Sequence, residues 1–135
     1  MDWVVARKKR IETLEKTKEP KDIAPIVAST LIGDVNNKSA YEQLVNSMEL
    51  LHKESYLKTI ETSMRTEHRH IFKTIDVPTF IMVGELDTLT PPSMSKEIMK
   101  EIKNSRLSII PNAGHLSNIE NPTVFNQKLL EFLDS

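Results

Sequence analysis

Five consecutive residues, Thr79-Phe80-Ile81-Met82-Val83, form a short apolar run that Val77-Pro78 precedes and Gly84 ends. A run of that length between turn residues reads as a strand buried on both faces. Beyond it comes a stretch with helical spacing, Met94, Ile98, Met99 and Ile102, which starts at Thr90-Pro91-Pro92. A second strand-like run follows at Arg106-Leu107-Ser108-Ile109-Ile110. A strand, a crossover helix and another strand imply a parallel pair joined by a right-handed connection. A loop from Pro111 to Asn121 then enters a last helix bearing Phe125, Leu129, Leu130 and Leu133. Asn121 is placed to cap that helix and Pro122 to occupy its first position.

Residues 75–135 therefore predict an α/β unit of strand, helix, strand and helix. The unit is incomplete, because two parallel strands with apolar faces need neighbours and cover. Something must pair the open edge of the 79–83 strand: upstream sequence, a second chain or another copy of this one.

The region before this unit reads as short helices. Trp3, Ala6, Ile11 and Leu14 recur at helical spacing until Pro20. Ile23, Ile26, Val27, Thr30 and Leu31 form a second stripe, closed by Gly33 and the turn Asp34-Val35-Asn36-Asn37, with Pro25 in the first turn. A third helix is predicted from about Ser39 to His52, with Tyr41, Leu44, Val45, Met48 and Leu51 inward and Ser39 and Glu42 as a capping box. Tyr56, Leu57, Ile60 and Met64 indicate a fourth.

Composition narrows the function classes. The chain of 135 residues has no cysteine, which excludes disulfide scaffolds, thiolate zinc sites and a Cys nucleophile. Its net charge is −1, and the basic run Arg7-Lys8-Lys9-Arg10 lacks interleaved aromatics or a Gly-rich loop. That run reads as a solvated helix face, and no nucleic-acid partner is expected. No apolar stretch approaches the roughly 18–20 residues that cross a bilayer, so no membrane partner is expected either. A short apolar Trp3-Val4-Val5-Ala6 precedes the basic run, the reverse of a secretory signal, and a cytoplasmic location is expected.

Ionisable groups that could do chemistry sit in two turns, Gly84-Glu85-Leu86-Asp87 and Pro111-Asn112-Ala113-Gly114-His115. Open α/β sheets place their sites at the carboxyl ends of strands, where both turns fall. Adjacent parallel strands put Asp87 and His115 on neighbouring loops at one sheet edge. A carboxylate there accepts from one ring N–H and leaves the other nitrogen free to take a proton from a nucleophile. The bland readings are that Asp87 caps its turn or the next helix and that His115 is an ordinary loop histidine. His68 and His70 in Glu67-His68-Arg69-His70 point to different faces if helical, and read as exposed polar residues rather than metal ligands. His52 reads as a boundary residue, the methionines as core fillers, and Ser93 and Ser95 as members of a helix's first turn.

The segment from Ile75-Asp76-Val77-Pro78 to Phe132-Leu133 resembles the carboxyl-terminal part of an α/β-hydrolase. The branch is that of enol-lactonases, carbon–carbon bond hydrolases and carboxylesterases. The matching features are Val77-Pro78 before the apolar strand, Gly84-x-x-Asp87 with Thr90-Pro91-Pro92, Pro111-x-x-Gly114-His115, Glu120-x-Pro122 and Phe125-Asn126. The resemblance implies that Asp87 is the acid and His115 the base of a Ser–His–Asp triad, acting on esters, lactones or related carbonyl compounds. It also implies that residues 1–74 are a helical cap-like segment and residues 75–135 part of the hydrolase core.

The family's nucleophile sits in Gly-x-Ser-x-Gly on a strand-to-helix turn, and its oxyanion hole comes from the next residue and an earlier loop. This chain has only Gly33, Gly84 and Gly114, and no serine lies between correctly spaced glycines. Gly33-Asp34 follows a helix rather than a strand and is a poor site for an Asp nucleophile. The expectation is an incomplete hydrolase fold, inactive alone, that takes a small-molecule substrate only when complemented. Its partner would be a separately encoded N-terminal hydrolase half or, in a non-catalytic interaction module or truncated-gene remnant, another copy in a dimer. No metal or organic cofactor is implied, since the resembled reaction needs only side chains and water.

Overall fold

The structure, a computed structural model, describes residues 3–16, 19–63 and 67–135. Its helical region runs through α1 (Trp3–Glu15), a 3-10 turn (Pro20–Ile23), α2 (Ala24–Leu31), α3 (Lys38–Glu49) and α4 (Lys53–Ser63). A 3-10 helix, Arg69–Thr74, leads into β1 (Thr79–Gly84), α5 (Pro92–Glu101), β2 (Ser105–Ile110), α6 (Ser117–Glu120) and α7 (Pro122–Leu133). No described helix is long and apolar enough to cross a membrane.

β1 and β2 are parallel, as the strand–helix–strand order requires, with Thr79 opposite Ser105 and Gly84 opposite Ile110. The result is the expected partial α/β sheet with flanking helices. α5 packs on both strands and α7 on β2. The rings of Phe80 and Phe132 stack with centroids 5.0 Å apart, worth about 0.5–1.5 kcal/mol beyond the area they bury. The Arg106 guanidinium lies over the same Phe132 ring. The strands are less covered than their apolar sequence predicts: Thr79 to Met82 are half-buried, and only Val83 and Gly84 are buried. The reason is topological, since among the described residues β1 pairs only with β2 and no strand covers its other edge.

The main core lies in the helical region. Leu14, Ile23, Val27, Ile32, Leu44 and Met48, with Ala24, Ala28 and Ala40, form one buried cluster. Each fully buried Leu or Ile contributes about 1.5–3 kcal/mol. The small residues let α2 and α3 approach closely. The expected stripes are right in spacing but too wide. Ile26, Tyr41, Leu51, Met94, Leu130 and Leu133 are exposed: α2 and α3 bury a narrow face, α5 buries only Ser95, α7 has no fully buried residue, and Leu51 lies past the end of α3. Met64 lies outside the described residues, as do the side chains of Trp3 and Ala6.

Helix ends follow the local chemistry. The Asn121 side chain accepts from the Val124 N–H and Pro122 opens α7, as expected. α3 is a correction. It begins at Lys38 and ends at Glu49, and its cap is Asn37, whose Oδ1 accepts from the Ala40 N–H at 3.1 Å. The Ser39–Glu42 capping box does not form, because the helix is capped two residues earlier and Ser39 falls inside its first turn, where its hydroxyl accepts from Gln43. The loop expected over 111–121 contains the short α6.

Candidate functional site

The two strands end side by side, and their following turns stay joined. Past the last paired residues, the Glu85 N–H donates to Ile110 O at 2.9 Å and the Leu86 N–H to Ala113 O at 2.8 Å. The Glu85 carboxylate accepts from the Asn112 N–H at 3.1 Å. Asn112 has a φ of 54°, a left-handed conformation that Asn tolerates better than most residues. The parallel register thus carries both turns to one edge with little freedom between them.

There the side chains meet. Asp87 Oδ2 lies 2.9 Å from His115 Nδ1. Asp87 is only 5% exposed, whereas the His115 side chain is 35% exposed. The carboxylate is saturated with donors: Oδ1 accepts from the backbone N–H groups of Leu89 and Thr90, both at 2.9 Å. Oδ2 accepts from the Thr90 hydroxyl at 2.8 Å as well as from His115. Burial, the largest single influence, raises the Asp87 pKa. The Thr90 backbone hydrogen bond, the side-chain bonds from His115 and Thr90, and the charge of His115 together outweigh it and hold the carboxyl below its ordinary value.

These contacts assign the imidazole tautomer. An ionised carboxylate only accepts, so Nδ1 carries the proton. The Thr90 hydroxyl, 3.1 Å from Nδ1, donates its hydrogen bond to Asp87 and turns a lone pair toward the ring. Among the described residues nothing hydrogen-bonds His115 Nε2. The arrangement therefore presents a basic nitrogen with its orientation set from behind.

One of the bland alternatives contains something true. Asp87 does cap its own turn, but with one oxygen, leaving the other for His115. Thr90 was legible as a helix-start residue yet not as the third member of this cluster. The Asp87-x-x-Thr90 spacing, which lets a hydroxyl and an N–H grip one carboxylate, is the signal that marks it. The remaining histidines are elsewhere. His68 and His70 are exposed at the start of the 3-10 helix, and His52 pairs with Glu54 and Ser55 on the surface. Ser93 and Ser95 lie in the first turn of α5. Among the described residues no three metal-ligating side chains gather.

A family profile described as alpha/beta hydrolase fold matches residues 10–122. A pimeloyl-(acyl-carrier protein) methyl ester esterase of Neisseria meningitidis is 27% identical over 77 residues, 57% of this chain and 30% of that protein. An esterase from Exiguobacterium antarcticum superposes with a TM-score of 0.84 at 16% identity, covering 96% of this chain and 47% of the other. The enol-lactonase from Burkholderia xenovorans LB400 does so with a TM-score of 0.82 at 21% identity, covering 99% and 50%. The chain thus spans about half the length of these solved structures and a smaller share of the sequence relative.

Proposed function

The chain belongs to the alpha/beta hydrolase fold family, and on that premise we propose that it supplies the acid and the base of a Ser–His–Asp hydrolase whose serine lies outside these 135 residues. The observation that carries the reading is the 2.9 Å Asp87–His115 contact at the carboxyl ends of two parallel strands, with Nε2 unengaged. Residues 75–135 act as the closing part of the hydrolase core and residues 1–74 as a cap-like segment over the substrate. The substrate class is an ester, lactone or related carbonyl compound, which the esterase and enol-lactonase relatives support.

In the assembled enzyme, His115 Nε2 takes the proton of the serine hydroxyl as its oxygen attacks the carbonyl carbon. It then delivers that proton to the departing alkoxide. A water molecule repeats the cycle on the acyl-enzyme. Asp87 holds the ring in its Nδ1–H form and stabilises the imidazolium. The nucleophile and oxyanion donors come from hydrolase segments outside these 135 residues. The chain by itself is inactive. The test is to mix the purified chain with a polypeptide bearing Gly-x-Ser-x-Gly and the preceding strands, then follow p-nitrophenyl ester cleavage. Activity of the pair and of neither part alone is expected; a pair that associates and stays inactive overturns the reading.

A second reading rests on a different observation. The free edge of β1 and the exposed Leu130 and Leu133 of α7 suit burial in a dimer of this chain, a non-catalytic interaction module. Light scattering decides it: a well-folded monomer at high concentration removes the dimer.

A further inference from the structure

The three glycines of this chain meet at one place. A Cβ on Gly33 would lie 2.7 Å from Gly114 N and 2.7 Å from the Leu86 Cβ, and one on Gly114 would lie 2.8 Å from Leu31 O. Gly84 packs against the carbonyls of Ala113 and Gly114 in the same way. The turn after α2 is therefore pressed directly on the His115 loop. At that junction sits a carboxylate to which the hydrolytic reading gives no role. Glu120 is 8% exposed, and its Oε2 accepts from the Gly33 N–H at 2.8 Å. Its Oε1 accepts from the Leu116 N–H at 3.3 Å. Its backbone carbonyl accepts from the Asn37 Nδ2 at 3.2 Å.

We infer that Glu120 is a positioning residue for His115, bridging the main chain of the helical region to the main chain just past the base. The geometry makes the link direct. The His115 N–H donates to Leu31 O at 2.8 Å, two residues before the Gly33 N–H that Glu120 holds. Leu116, the next residue after His115, is held by the other oxygen of the same carboxylate. His115 is thereby pinned on both sides, and a single buried side chain joins the two clamps. Gly33 is held by a residue 87 positions away, so no local turn replaces the bond. Without the carboxylate, two part-buried N–H groups lose their acceptor, and the loop must shift to find another. A shift of a few tenths of an ångström lengthens the His115 Nδ1–Asp87 bond and releases the ring from its Nδ1–H form.

This inference takes His115 as the base, from the reading above, but its test needs no activity. The chain is labelled with 15N and the His115 tautomer is read from its ring-nitrogen shifts at a pH where the imidazole is neutral. The parent chain should show the Nδ1–H form in large excess. Glu120→Ala should shift the ring toward Nε2–H, the form that free imidazole side chains prefer. Glu120→Gln keeps one acceptor and should lie between the two. Amide exchange at Gly33 and Leu116 should quicken by at least about tenfold, with β1 and β2 unchanged. A folded Glu120→Ala chain that keeps the parent tautomer overturns the proposal. So does unfolding of both variants, which assigns Glu120 to stability alone. Failed complementation together with the expected tautomer shift in Glu120→Ala counts against the hydrolytic reading and leaves this one standing.

Discussion

The backbone N–H of His115 donates to the carbonyl of Leu31 at 2.8 Å, so the last turn of α2 and the loop that carries the imidazole share a hydrogen bond. The bond fits only because the chain between them is glycine on both sides: Gly33 follows Leu31 by two residues and Gly114 directly precedes His115. What meets there is backbone, which cannot rotate away as a side chain can.

Gly114→Ala should therefore lower stability by at least about 1–3 kcal/mol, the usual cost of forcing extra volume into packed surroundings. Urea unfolding followed by circular dichroism measures it. Alanine at an exposed control position such as Ser93 should change the midpoint little.

Asp87→Asn and His115→Ala should each abolish most activity of the reconstituted hydrolase. The loss for Asp87→Asn should be roughly 10⁴-fold in kcat, because Asn can present an N–H to the ring and favour the wrong tautomer. Steady-state ester hydrolysis by the complemented pair checks both.

Asp87 also shapes acid stability. Its folded pKa lies below the unfolded value near about 3.9. The unfolded chain therefore binds its proton first as the pH falls. The stabilisation is present in full above that unfolded value and is lost as the pH drops through it toward the depressed folded one. Replacement by Asn should flatten the acid limb of the unfolding profile below about pH 4 and leave the slope at neutral pH unchanged. Urea midpoints collected from pH 2 to 7 show the difference.

The cap of α3 separates Asn37, which forms it, from Ser39, the residue expected to do so. Asn37→Ala removes the acceptor for the Ala40 N–H and the donor to Glu120 O. It should cost about 0.5–2 kcal/mol. Ser39→Ala loses only an exposed contact with Gln43 and should stay within about 0.5 kcal/mol of the parent. The same unfolding assay compares them.

Much of the architecture was legible because it is encoded locally. The apolar runs at 79–83 and 106–110, with helical spacing between them, were enough to predict a parallel pair. Asn121-Pro122 marked the start of α7 to the residue. Burial was read less well. Ile26 and Met94 keep helical spacing yet are exposed, since spacing states which residues share a face and not whether another element covers it. Ser39 lost the cap to Asn37 for a similar reason: both are good caps, and the choice rests on where the chain leaves the Asp34–Asn37 turn.

Residue order alone was sufficient for the family, the strand direction and the placing of Asp87 and His115 at one sheet edge, because each follows from short-range pattern and from the rules of parallel connection. Only the folded chain decided that the two side chains touch, that Thr90 completes their cluster, and that Glu120 and three glycines seat the imidazole loop against α2. Those contacts join residues far apart along the polypeptide. Their distances depend on how whole surfaces pack, a quantity no stretch of sequence carries by itself.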